Sequence, residues 1–355
     1  MGADGLSCPT QNMKNPTVRD ISKKCGISPS GVSAALRNRP NISPETKALV
    51  LRAAAELGYQ TDARLNQLMA YLRSGKAAAS APNVAWLHQC EGENDFITMP
   101  WIAGYLVGAQ RRAAQFGYHI DIFWGDKNSE TRLRRIPSVL KARGIEGIIT
   151  YEPTDIFPWN IALDWSQFAL SALEGDHYAN KLPRVITHGY KRMRQIMGKL
   201  IEYGYRRPGL VMGWYINETN DYYWRGGFLD SQDLLEPCDR VPPLIMEEWE
   251  GSLSGWLNQN NPDVIICVED RLLDVLGQIG YRVPADVALV HLNIYNNVAN
   301  WCGIDNLHEQ LGEAAFDMMM AQVNRWETGL VANPKTIFLQ GLWQDGWTCP
   351  PRSPG

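Results

Sequence analysis

Between residues 17 and 61, apolar positions recur at helical spacing in three short bursts, each with its own start signal. Val18, Ile21 and Cys25 make the first, behind Thr17 with Asp20 three positions on, and Gly26 closes it. That spacing is capping-box-like, and the glycine fits a left-handed helix end. Only Gly26-Ile27-Ser28 precedes the next start, where Ser28 is the N-cap and Pro29 takes the first helical position, at which a missing N–H costs nothing. At about 100° per residue, Val32, Ala35 and Leu36 fall on one side of this second helix. Ser30, Ser33, Ala34 and Arg37 fall on the other. A third start at Ser43-Pro44 leads into Leu49, Ala53 and Leu57 and closes at Gly58. Two helices joined by so short a turn predict a helix-turn-helix that offers small, polar or cationic groups to a DNA major groove. An ordinary three-helix bundle with a solvated face is the competing reading.

Past residue 83 the period changes. Strands are predicted near 84–87, 119–124, 147–150, 168–173 and 185–188, with helices over 101–116 and 131–142. The cycle restarts with a helix over 193–203 and runs through strands near 210–212, 264–268 and 287–292 and helices over 222–234 and 272–279. Such alternation predicts an α/β fold with parallel sheets, and ligands in these sheets bind at the carboxyl ends of strands.

Charge divides the chain in the same place. Residues 1–76 carry 11 Lys/Arg against 5 Asp/Glu, and the remainder 23 against 33, so a basic module (+6) precedes an acidic body (−10). A cationic headpiece suits a phosphate backbone, from which it releases counterions. The seven cysteines form no C-x-x-C pair, and free thiols in a reducing cytoplasm account for them. No apolar run is long enough to span a bilayer, and Met1 to Pro16 lacks the apolar core of an export signal, so no membrane partner is expected. Residues 1–16 read as a disordered tail. Enzyme signatures fail as well: Gly251-Ser252-Leu253-Ser254-Gly255 puts leucine where a nucleophile elbow needs serine, and the six histidines show no metal-ligand spacing. No metal and no cofactor are expected.

Thirteen tryptophans is a high count for 355 residues. Trp101, Trp124, Trp159, Trp214 and Trp224 are expected near strand ends or in loops, where a flat apolar face stacks on a sugar ring; packing in the core or a dimer interface is the alternative.

A set of short markers in fixed order carries a family likeness. Thr17-Val18-Arg19-Asp20-Ile21, Gly26 to Ser33, Ser43-Pro44-Glu45-Thr46 and Leu57-Gly58-Tyr59 resemble the headpiece of the lactose-repressor (LacI/GalR) family. Further on, Phe116-Gly117-Tyr118, Tyr203 to Pro208, Arg225-Gly226-Gly227-Phe228, Val283 to Ala288, Gly303-Ile304-Asp305 and Gly341 to Gly346 continue it. The resemblance implies an all-α helix-turn-helix headpiece (17–61), a hinge helix and linker (62–82), and an α/β periplasmic-binding-protein-like type I effector domain. That domain (83–355) has two doubly wound lobes, with the chain crossing between them near 188, 304 and 330. It also implies DNA contacts at Thr17, Ser28, Pro29, Ser30, Ser33, Ala34, Arg37, Asn41, Ser43, Thr46 and Tyr59. Leu68 matches a hinge leucine that wedges into the minor groove. Gln60-Thr61 stands where the family has a proline, and Leu65, Leu68, Met69 and Leu72 form a stripe equally suited to packing on the body or a dimer mate.

For the effector, the resemblance implies Arg225 holding polar groups, Asn293 at a usually acidic position that grips hydroxyls, Glu269, and Trp249 as a stacking ring. Asp95, Phe96 and Trp101 follow the first strand and would line the other lobe. The expected protein is a cytoplasmic homodimeric repressor on double-stranded operator DNA, switched by a small molecule, a sugar, between its lobes. A regulator whose body only dimerises and a solute binder that ignores DNA are the alternatives.

Overall fold

The structure is a computed structural model, and it describes residues 16–36, 42–57, 59, 82–90, 99–126, 130–151, 163–175 and 181–352. The chain divides into two compact units, one of residues 1–79 with 324–327 and one of residues 80–323 with 328–355.

Three helices build the first unit: α1 (Val18–Cys25), α2 (Pro29–Leu36) and α3 (Pro44–Glu56). Each starts as the sequence suggests. The Asp20 carboxylate accepts from the Thr17 N–H at 2.8 Å and from its hydroxyl at 2.7 Å, and Gly26 ends α1 at φ 68°. Ser28 Oγ accepts from the Gly31 N–H at 3.2 Å, and Ser43 Oγ from the Thr46 N–H at 3.3 Å. Gly31 weakens α2 intrinsically, and its neighbour explains it: a Cβ there would lie 2.8 Å from Ile27 Cγ2. Ile21, Val32, Ala35, Val50, Ala53 and Ala54 form the core. Leu49, expected inside, is 44% exposed, because the face of α3 that meets α1 and α2 runs through Val50, Ala53 and Ala54 instead.

In the second unit the order is β1 (Asn83–Cys90), α4 (Pro100–Gln115), β2 (His119–Asp126), α5 (Glu130–Ala142), β3 (Gly147–Tyr151), β4 (Ala169–Leu173) and β5 (Arg184–Thr187). Next come α6 (Gly189–Glu202), β6 (Pro208–Met212), α7 (Trp214–Thr219), α8 (Tyr223–Ser231), β7 (Leu244–Ile245), α9 (Glu250–Asn260), β8 (Val264–Cys267), α10 (Leu272–Gln278), β9 (Ala288–Ile294) and β10 (Gly303–Asp305). The chain finishes with α11 (His308–Arg325), β11 (Thr336–Leu339) and β12 (Leu342–Gln344).

Two sheets result, β11-β5-β4-β3-β1-β2 and β12-β10-β9-β8-β6-β7. The described pairings in the first are all parallel, and β12 runs antiparallel to β10 in the second. Each sheet is the centre of a lobe, and the chain passes between lobes three times, after β5, after β10 and after β11. Strands β3 and β4 are buried at every position, as parallel strands covered on both faces must be. Not anticipated from the apolar pattern were α7, α9 and the 18-residue α11, which returns to the first lobe. It packs on α4 at touching backbones: a Cβ on Gly108 would stand 1.9 Å from the Glu309 carbonyl oxygen, and one on Gly312 equally close to that of Tyr105.

Candidate functional site

The outward side of the headpiece is assembled from its caps and first turns. Thr17, Ser28, Pro29, Ser30 and Ser43 are exposed, while Ser33, Ala34, Thr46 and Tyr59 are half-buried. Val32 and Ala35 turn inward to the core, so the side of α2 bearing Ser30, Ser33 and Ala34 carries nothing bulkier than a hydroxymethyl group. A backbone that close to the surface of a helix can approach base edges. Arg19, Lys23 and Lys24 add exposed positive charge on α1. Arg37, Asn41 and Leu68 lie outside the described residues.

In the body, the strand ends of both lobes converge on the three crossovers. There the side chains sort into a buried polar knot and an aromatic shell. Arg192, on α6, is 2% exposed; its guanidinium donates to Thr187 Oγ1 and Asn306 Oδ1 and lies 6.0 Å from the ring centre of Trp224. Opposite it stands Glu174, which follows β4 at φ 53° and accepts from the Thr187 hydroxyl at 3.3 Å. Glu174 keeps some exposure as a residue, yet desolvation of its carboxyl dominates and raises its pKa, with Arg192 pulling the other way. Desolvation likewise pushes Arg192 down to about 10, against the pull of Glu174. Glu174, Thr187, Asn220, Tyr223 and Trp224 line a cavity between the lobes with about 20 Å³ of water-sized space. One water needs about 10–15 Å³, so this cavity, bounded by described residues, holds about one.

Asn293 anchors the floor of the crossovers. Its Oδ1 accepts from Asn306 Nδ2 at 2.6 Å and lies 2.7 Å from His308 Nε2, and its N–H donates to His291 Nδ1 at 3.1 Å. Burial pushes both histidines down to about 4. Around this knot, the β1–β2 register sets His88 beside Trp124, their rings 5.8 Å apart, and Tyr151 packs on His88 at 5.7 Å. Trp101 opens α4, donates from Nε1 to the Tyr151 hydroxyl at 3.0 Å, and meets Tyr295 of the other lobe edge to face at 5.4 Å.

The residues singled out beforehand are therefore dispersed. Trp101 and Asn293 stand where the lobes meet. Glu269 is a brace: Oε1 accepts from Trp249 Nε1 at 3.0 Å and Oε2 from the Gly213 N–H at 3.2 Å. Trp249 is completely buried, with the Arg271 guanidinium 5.0 Å from its ring centre, so no face is open for stacking. Arg225 is exposed and does not line the cavity; one step along α8 turns the side chain by about 100°, and its neighbour Trp224 occupies the place expected of it. Of the tryptophans expected near strand ends or in loops, Trp124 lies two residues before the end of β2 and Trp214 two residues past the end of β6, while Trp101 and Trp224 lie in the first turns of α4 and α8. Asp95, Phe96 and Trp159 lie outside the described residues. Glu174 and Arg192 were not foreseen. Both had signals: an acidic residue directly after a buried strand, and a cation on the apolar stripe of Met193, Ile196 and Leu200.

A helix-turn-helix headpiece joined to two doubly wound lobes with a cleft between them defines a DNA-binding transcription regulator with a periplasmic-binding-protein-like body. Two family models agree: "Bacterial regulatory proteins, lacI family" matches residues 17–62, and "Periplasmic binding proteins and sugar binding domain of LacI family" matches residues 94–336. The chain belongs to the LacI family of bacterial regulators, and it is not an enzyme. It is 24% identical to the sucrose operon repressor of Escherichia coli over 293 residues, 77% of this chain and 82% of that protein. Among solved structures it resembles the transcriptional regulator CelR–cellobiose complex (TM-score 0.56, 18% identity, 94% of this chain and 100% of that one). It also resembles the Lac repressor dimer bound to operator (TM-score 0.56, 15% identity, 95% and 99%).

Proposed function

We propose that this regulator acts in the cytoplasm as a homodimeric repressor whose hold on operator DNA is set by a sugar taken up between its lobes. One observation carries the effector half: Glu174, a desolvated carboxylate, lines the cavity with Thr187, Asn220, Tyr223 and Trp224, and the desolvated guanidinium of Arg192 stands behind them, 6.0 Å from the Trp224 ring centre. A carboxylate accepts and a guanidinium donates, so together they span neighbouring hydroxyls of one ring while an indole covers its apolar face. The cavity is too small for a pyranose as it stands. The lobes therefore open for the ligand, and a sugar that prefers the opened form draws the population toward it.

On the DNA side, Thr17, Ser28, Pro29, Ser30, Ser33, Ala34, Ser43, Thr46 and Tyr59, joined by Arg37 and Asn41, contact one half-site. Two headpieces read a pseudo-palindrome, matching protein symmetry to operator symmetry. Leu68 enters the minor groove between them.

The test is anisotropy of a labelled operator, selected from random DNA, with and without a panel of sugars. The expected result is a 5–150-fold change in DNA affinity for one of them, the usual range of allosteric coupling. In the double variant Glu174→Gln/Arg192→Met that response disappears while DNA binding persists. No response to any sugar, or an undiminished response in the variant, removes the effector site from this cavity.

A further inference from the structure

Trp214 and Tyr222 are 45% and 37% exposed, large aromatic rings left open to solvent. Their rings meet edge to face at 6.3 Å and 62°, which fixes both planes and leaves ring surface in water. Trp214 is the first residue of α7, directly after Gly213, whose N–H is held by Glu269 at the carboxyl end of the second sheet. Tyr222 sits in the turn that follows α7. That turn belongs to the cavity: Thr219 and Asn220 line it before Tyr222, and Tyr223 and Trp224 after it. Asp221 and Tyr222 both adopt left-handed backbone, at φ 46° and 60°, which non-glycine residues disfavour. The Asn217 carbonyl accepts from the Tyr222 N–H at 2.9 Å and holds the conformation. A carboxylate stands at the same end of α7, Glu247, which accepts from the Tyr215 N–H at 3.0 Å.

We propose that Trp214 and Tyr222 form a second ring-binding subsite on the rim of the cavity, so that the effector is an oligosaccharide. One unit enters between Glu174, Arg192 and Trp224, and the next lies against the Trp214–Tyr222 pair with its hydroxyls toward Glu247. The proposal rests on the reading that a sugar occupies the cleft. It adds length: a rigid, prearranged aromatic platform outside the cavity gains contact only from a ligand that extends beyond it.

Calorimetric titration of the full chain with glucose, galactose, fructose, cellobiose, maltose, lactose and sucrose tests both layers. The expected result is a disaccharide that binds at least tenfold more tightly than either of its component sugars. Trp214→Ala and Tyr222→Ala bring that ratio near one while leaving monosaccharide affinity and the melting temperature unchanged, and Trp214→Phe restores most of it. Equal affinities for a disaccharide and its components, or a ratio untouched by Trp214→Ala, overturns the rim subsite and leaves the cavity standing. If none of these sugars binds, both fall together.

Discussion

The headpiece and the body keep their working groups in opposite places. In the headpiece every described residue proposed to meet DNA is exposed or half-buried, over a core no larger than Ile21, Val32 and Val50 with three alanines, and none of its described charged residues is buried. In the body the ionisable groups at the crossovers are interior: Glu174, Arg192, His291 and His308 are desolvated among aromatic rings. The first arrangement lets sequence specificity vary without touching the fold. The second ties recognition to stability, because a buried charge tolerates no change that leaves its partner alone.

The strongest way to break this contrast is Arg192→Ala, which strands Glu174. A loss of about 3–5 kcal/mol is expected from unfolding of the body in urea, and Glu174→Gln added to it should restore part of that loss. Next, Ile21→Ala removes the one isoleucine at the centre of the headpiece. A cost of about 2–4 kcal/mol is large for so small a core, so DNA binding should vanish while the body's melting temperature stays put. Acid sharpens the same difference. His291 and His308 are held at about 4, below the 6.5 of an unperturbed histidine, so between those values the unfolded chain binds more protons than the folded one. Stability is full above pH 6.5 and falls as pH drops toward 4, by about 2 kcal/mol per histidine at pH 5. Residues 17–61 contain no histidine, so the headpiece's transition should not follow. Smallest of all, Ser43→Ala removes the cap of α3 and should cost about 1 kcal/mol, read as a shift in the headpiece melt alone.

What could be read from residues alone follows the range of the forces involved. Thr17–Asp20, Ser28–Pro29 and Ser43–Pro44 act within four positions, so their helices were placed correctly from the sequence. Alternating strands and helices announced the lobes for the same reason. The cleft depends on partners far apart in the chain, such as Arg192 with Asn306 and Trp249 with Glu269. Trp249 looked like a stacking ring and is instead a core side chain, because Glu269 supplies the acceptor that makes burying its indole N–H tolerable. Arg225 and Trp224 differ by one step, too fine a distinction where likeness, not geometry, set the register.

At the glycine-to-glycine crossing of α4 and α11, no side chain lies between the two backbones to absorb a shift. The first turn of α11 carries His308, beside Asn293 and Asn306 at a crossover, and the first turn of α4 carries Trp101, against Tyr295. A shift of either helix is thus passed to the other, and so to the mouth of the cleft, as by a lever without slack. Gly108→Ala or Gly312→Ala would put a wedge under that lever, prising the mouth apart with no ligand in it.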